Sequence, residues 1–144
     1  MAKVTSPSSH TYLKTVTRYI RGDFEARIDS VGDDELRVLR NHLIGAKKEI
    51  TLKPTDVARV LKQFVDGQVD ANQLARWGSF VFHGYATWRK GSRKHPLPIR
   101  YEPASEELLA EILLEIEQIG DPVNGDFTRE RAAAHLSRLL VKRR

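Results

Sequence analysis

Apolar residues recur at helical spacing along most of this chain, and small polar residues punctuate them. Val57, Val60, Leu61, Phe64 and Val65 form one stripe, the pattern of a helix with a single buried face. Pro54 suits a first helical turn, where its missing N–H would be unpaired in any residue. Gly67 is placed to end the helix in a left-handed conformation. Asp70 and Gln73 then have the spacing of a capping box. Leu74, Trp77, Val81, Tyr85 and Trp88 follow at intervals of three and four residues. Gly78 and Gly84 interrupt that face, and each is disfavoured by about 1 kcal/mol relative to alanine in a helix. A closely packed neighbour would account for Gly78, and Gly84 reads as a break.

The same reasoning places the other elements. Asp33-Asp34-Glu35 puts carboxylates in a first turn, where they complement the helix dipole. Leu36, Leu39 and Leu43 follow, predicting a helix to about residue 48 with Lys47 and Lys48 in its last turn. Tyr12, Leu13, Val16 and Ile20 space an earlier helix, while residues 1–10 read as a loose polar arm. Glu102-Pro103-Ala104-Ser105-Glu106-Glu107 opens a strong helix with Leu108, Leu109, Ile112, Leu113, Ile116 and Ile119 inward. Gly120 and Pro122 stop it. Thr128 caps a last helix with Ala132, Ala133, Leu136, Leu139, Leu140 and Val141 inside, and Phe127 is placed to staple onto Ala132. No segment alternates convincingly as a strand, although a short extended piece fits 97–101. The expectation is one all-α domain over residues 1–144, a bundle of five or six helices with short loops and one longer basic loop.

Charge adds a gradient to this picture. Segments 1–53, 54–100 and 101–144 carry about +3, +5 and −3. Cysteine is absent, which excludes disulfides, thiolate metal sites and cysteine nucleophiles. No apolar run approaches the ~18 residues of a spanning helix, and the first ten residues lack the apolar core of a signal peptide. A soluble cytoplasmic protein is expected, with no membrane association.

Candidate chemistry is sparse. His10, His42, His83, His95 and His135 form no metal-binding pair by spacing, and His42, His83 and His135 read as helix-surface residues. Glu107, Glu111 and Glu115 are spaced i, i+4, but leucines and isoleucines hold the inward positions, so these carboxylates are expected to point outward. They form either a solvated face or an acidic docking surface. No phosphate-binding glycine loop and no nucleophile elbow occurs. No catalytic residue, metal or cofactor is assigned. Arg89, Lys90, Arg93, Lys94 and Arg100, between Trp88 and Tyr101, allow a nucleic-acid reading through phosphate contacts and base stacking. The helix pair around Gly67 has the outline of a DNA-reading helix-turn-helix, but its second helix begins with little positive charge.

Two stretches carry a resemblance. Val57 to Trp77, with Phe64-Val65-Asp66-Gly67 and Leu74-Ala75-Arg76-Trp77, resembles the opening of small helical immunity proteins of bacterial toxin–immunity systems. Ile116 to Thr128, followed by a final helix, resembles that family's closing segment, so the likeness covers roughly residues 55–141. It implies a non-enzymatic protein that binds a toxin domain and blocks it. The expected contact surface is the 85–101 loop and the acidic helix, with Tyr85, Trp88, Arg89, Arg93, Glu107 and Glu111 as partner-binding candidates. The alternative is a nucleic-acid-binding accessory protein using the basic 89–100 loop.

Overall fold

In the computed structural model the described residues are 9–89, 96–119 and 127–142. They form six α-helices: α1 (Ser9–Ile20), α2 (Asp33–Gly45), α3 (Pro54–Val65), α4 (Ala71–His83), α5 (Glu106–Glu117) and α6 (Arg129–Lys142). The all-α bundle expected from the periodicity is what forms. Of the arm expected over residues 1–10, Ser9 and His10 instead begin α1, while residues 1–8, the cations Lys90, Arg93 and Lys94, and the stop at 120–126 lie outside the described residues.

Local chemistry sets the helix ends. Pro54 is in the first turn of α3, and the Asp56 carboxylate accepts the Lys53 N–H at 2.9 Å. The Asp70 carboxylate accepts the Gln73 N–H at 2.8 Å, and the Gln73 side chain accepts the Asp70 N–H at 2.9 Å. Both halves of the predicted capping box are thus made. The α3–α4 corner turns through Gly67 at φ 79°. Helix α2 stops earlier than expected, so Lys47 lies beyond it at φ 56°. Thr128 caps α6 by accepting the Arg131 N–H at 3.0 Å.

Two short strands were not expected as a pair. β1 (Ile50–Leu52) and β2 (Ile99–Tyr101) run parallel, with Ile50 opposite Ile99 and Leu52 opposite Tyr101. Three residues are too few to show alternation in a sequence, and here the pairing partner supplies the order. The pair anchors the segment that enters α5.

The core is one cluster that all six helices share. Helix α3 packs on α6, α4 on α5, and α1 on α2. Trp77 is fully buried, and its Nε1–H is shared between the carbonyls of Tyr19 and Ile20, at 3.1 Å each. Leu140 departs from expectation: it is 51 % exposed, while Leu139 beside it is fully buried. The buried stripe of α6 passes through 132, 135 and 139. That is a three-and-four spacing with a histidine in an apolar slot.

Gly78 shows why the glycine is tolerated within α4. A Cβ there would overlap Ile116 Cγ2 of α5, so the hydrogen sets how closely the two helices approach. Helix propensity alone would make Gly78→Ala stabilising by about 1 kcal/mol. The overlap reverses that sign, and a net loss of about 2 kcal/mol in urea unfolding is expected from overpacking. Combining it with Ile116→Ala should cost at least about 1 kcal/mol less than the sum of the two single changes. A stabilised Gly78→Ala variant would refute the close contact.

Candidate functional site

Gly84 decides the geometry of the region around the expected contact loop. It ends α4 at φ 84°, in the left-handed region, and its carbonyl accepts the Leu97 N–H at 2.7 Å. Any side chain there would meet both an unfavourable backbone conformation and the Leu97 carbonyl, 2.8 Å from the Cβ position. The apolar face that began at Leu74 therefore does not continue as helix to Tyr85 and Trp88. The chain turns, and Trp88 folds back onto Phe80, with ring centroids 6.4 Å apart. The Arg76 guanidinium lies 5.3 Å from the Trp88 ring centroid, a cation–π arrangement.

The six predicted contact residues separate in space. Arg89 turns inward. Its Nη1 donates to the Val31 carbonyl at 2.6 Å and its Nη2 to the Ile28 carbonyl at 3.2 Å, with Asp29 at 3.3 Å and Asp33 at 3.5 Å. With only 18 % of its side chain exposed, it holds the connection between α1 and α2. Trp88 is half-buried beneath Arg76. Glu107 is exposed and has no ion-pair partner among the described residues, whereas Glu111 is engaged by Arg138. Arg93 lies outside the described residues. Tyr85 alone joins an aromatic group at the surface, in which Phe82 is exposed and His83 and Tyr85 are half-buried. Its ring lies 5.5 Å from that of His83, which lies 5.0 Å from that of Phe82. Phe82 and Leu114 are both exposed, and His83 is in contact with Glu117 at 3.3 Å. Phe82 was missed because it falls off the buried stripe of α4 and no periodic argument selects such a position.

The acidic helix is also different from expectation. His135, read as a surface residue, is 1 % exposed. Its Nε2 lies 3.0 Å from Glu115 Oε2, and the Phe127 ring stacks on it at 6.1 Å. The ring of Phe127 also approaches Phe64 at 6.0 Å. Since Arg138 can only donate to His135 Nδ1, at 3.3 Å, the neutral imidazole with its proton on Nε2 fits both contacts. Arg131 grips Glu115 with two hydrogen bonds of 2.8 and 2.9 Å. This fork, with the His135 contact, holds the Glu115 carboxyl below the usual carboxylate range.

Ligand atoms of Glu111, Glu115 and His135 lie within 4.8 Å of one another, close enough to surround a cation. The neighbours argue against that use. Each carboxylate already faces an arginine, so a divalent ion would have to displace two guanidinium groups from their oxygens. The cluster acts as an ion-pair clamp between α5 and α6. No family model, curated protein or solved structure matches this chain.

Replacing Arg89 by alanine should cost about 2 kcal/mol in urea unfolding, because the Val31 carbonyl loses its side-chain donor, Ile28 and Asp29 each lose one hydrogen bond, and Asp33 loses its ion-pair partner. Lysine should recover only part, lacking the fork. A change within about 0.5 kcal/mol, as expected of a free surface residue, would contradict the inward role. For the clamp, the depressed carboxyl of Glu115 adds stability above its unfolded pKa, and this is lost as pH falls through the folded value. Glu115→Gln should therefore unfold at lower urea than the native chain at neutral pH. The gap should close below the ordinary carboxylate range; a gap independent of pH would exclude the charge as its source.

Proposed function

We propose that this protein is a non-enzymatic binding protein of immunity or antitoxin type, which neutralises a toxin domain by covering it. The observation that carries this reading is the aromatic group at the end of α4, exposed Phe82 with half-buried His83 and Tyr85 beside it, together with exposed Leu114 on the helix packed against α4. Aromatic side chains offer large contact area at small entropy cost and dominate interface energetics. The group stands on two helices locked together at Gly78, so little ordering is needed on binding. Glu117 beside His83 supplies a charged edge that favours a cationic rim on the partner.

The same geometry weakens the nucleic-acid alternative. Of the cations expected to contact phosphate, Arg89 is committed to internal carbonyls and Arg100 lies 3.6 Å from Glu49. That leaves the reading to three cations outside the described residues.

Co-expression with the protein encoded immediately upstream of its gene tests the proposal. Growth rescue by the native chain is expected, with an affinity loss of at least about tenfold for Phe82→Ala/Tyr85→Ala and an unchanged urea midpoint. An upstream product that is harmless to cells, or rescue that the double variant leaves intact, would overturn it. Tight, salt-dependent binding to duplex or single-stranded DNA or RNA would instead favour the alternative.

A further inference from the structure

A second feature lies on another side of α4. The end of α1, the α1–α2 connection and the flank of α4 enclose a cleft of about 500 Å³, inside the ~300–1,000 Å³ typical of small-molecule sites. Tyr19, Phe24 and Trp88 supply its aromatic wall, and Arg27, Asp29 and Arg76 its charge. The charges do not cancel locally. Asp29 is already matched by Arg89. Arg76 has no carboxylate partner among the described residues; nor has Arg27, which is exposed at the rim. Burial, and then the negative Asp29, push the Tyr19 phenol well above its ordinary pKa, so its hydroxyl remains a neutral donor.

The frame of the cleft is fixed independently of any ligand. Trp77 holds the carbonyls of Tyr19 and Ile20, and Arg89 holds those of Ile28 and Val31. Tyr19 is locked edge-on between Phe24 and Phe80, at 5.7 and 5.6 Å. An arranged aromatic wall beside two guanidinium groups without a carboxylate partner is matched by a flat ligand carrying one anionic group. Guanidinium binds carboxylate and phosphate oxygens in the same forked geometry, and the space admits a bicyclic ring.

We propose that this cleft binds a small aromatic anion, with its carboxylate or phosphate monoester held by Arg27 and Arg76 and its ring against Phe24 and Tyr19. The site is separate from the aromatic group at the end of α4, and neither assignment rests on the other.

Calorimetric titration of the full chain at low salt tests it, with 2-naphthoate, 2-naphthyl phosphate and uncharged 2-naphthol as probes. Saturable binding of at least one anion is expected, with 2-naphthol at least about tenfold weaker, the scale of one charge-assisted hydrogen bond. The tighter of the two anions identifies the head group. Arg27→Gln and Arg76→Gln should each weaken the anion about tenfold, while Asp29→Asn should tighten it by removing a like charge. Arg27 is exposed, so its variant keeps the test readable if loss of the Arg76–Trp88 stack disturbs folding. Absence of saturable binding by both anions, or binding that Arg27→Gln leaves unchanged, would overturn the proposal.

Discussion

The carbonyls at and just after the end of α1 draw donors from distant side chains, in addition to the Gly22 N–H that Tyr19 accepts at 3.0 Å, and the way they are satisfied governs much of the structure. A helix end leaves several carbonyls unpaired, and burying them without donors is costly. Here Trp77 of α4 donates to Tyr19 and Ile20. From α3, Arg59 donates to Arg21 at 2.8 Å and Gln63 to Gly22 at 2.7 Å. Three side chains from two helices, 38 to 58 residues away in sequence, thus cap a single helix. Because α3 and α4 are joined by the short corner at Gly67, their donors arrive as a fixed pair. That fixes where α1 sits, and so where the connection to α2 must run.

Arg89 repeats this solution one segment later. The connection after α1 is too short for its own secondary structure beyond the 3₁₀ turn Ile28–Ser30, and it exposes carbonyls toward the bundle. A guanidinium with several donors in a planar fork can serve more than one carbonyl at once, which a lysine cannot do with comparable geometry. The cost of drawing a cation inward is offset by Asp29 on the same segment and by Asp33 at the start of α2. A residue from the basic stretch has thereby become part of the frame, and the basic charge excess overstates what is free to meet a polyanion.

What was legible in the sequence follows the range of the interaction. Periodicity and caps are local, so α3, α4 and their corner at Gly67, Asp70 and Gln73 could be read closely, as could the stop at Gly84. Contacts between distant segments were not. Nothing around Arg89 distinguishes it from Lys90, since its partners lie near residue 30. His135 occupies an apolar position of the α6 stripe, and the facing Glu115 together with Arg138 makes that tolerable, because a buried polar group needs partners. The β1–β2 pair is similarly invisible, each strand being three residues long. Tyr85 was placed on a helical face that Gly84 cuts short, and Phe82 gains meaning only from its ring neighbours. The cleft beside Tyr19 had no local signal, because its walls come from α1, α4 and two connections.

A consequence concerns where this protein can interact at all. Surface charge is the usual guide to a binding face, yet several of the conspicuous charges here are spent on the fold. Glu111 and Glu115 clamp α6 through Arg138 and Arg131, and Arg89 caps a turn. Charge–charge steering by these groups is therefore weak, since each is closely paired with its opposite and their fields largely cancel beyond a few ångströms. Under the proposed binding roles, selectivity rests on groups whose partners the fold does not supply. Among the described residues, two such groups stand beside aromatic surface: the rings at the end of α4, and Arg27 and Arg76 in the cleft. Both adjoin α4, one at its C-terminal end and the other between Arg76 on its flank and Arg27 of the α1–α2 connection, and Trp77 and Gly78 fix α4 to its neighbours. A rigid element carrying unfulfilled groups is a more economical interaction surface than a mobile charged loop, because ordering has already been accomplished by folding.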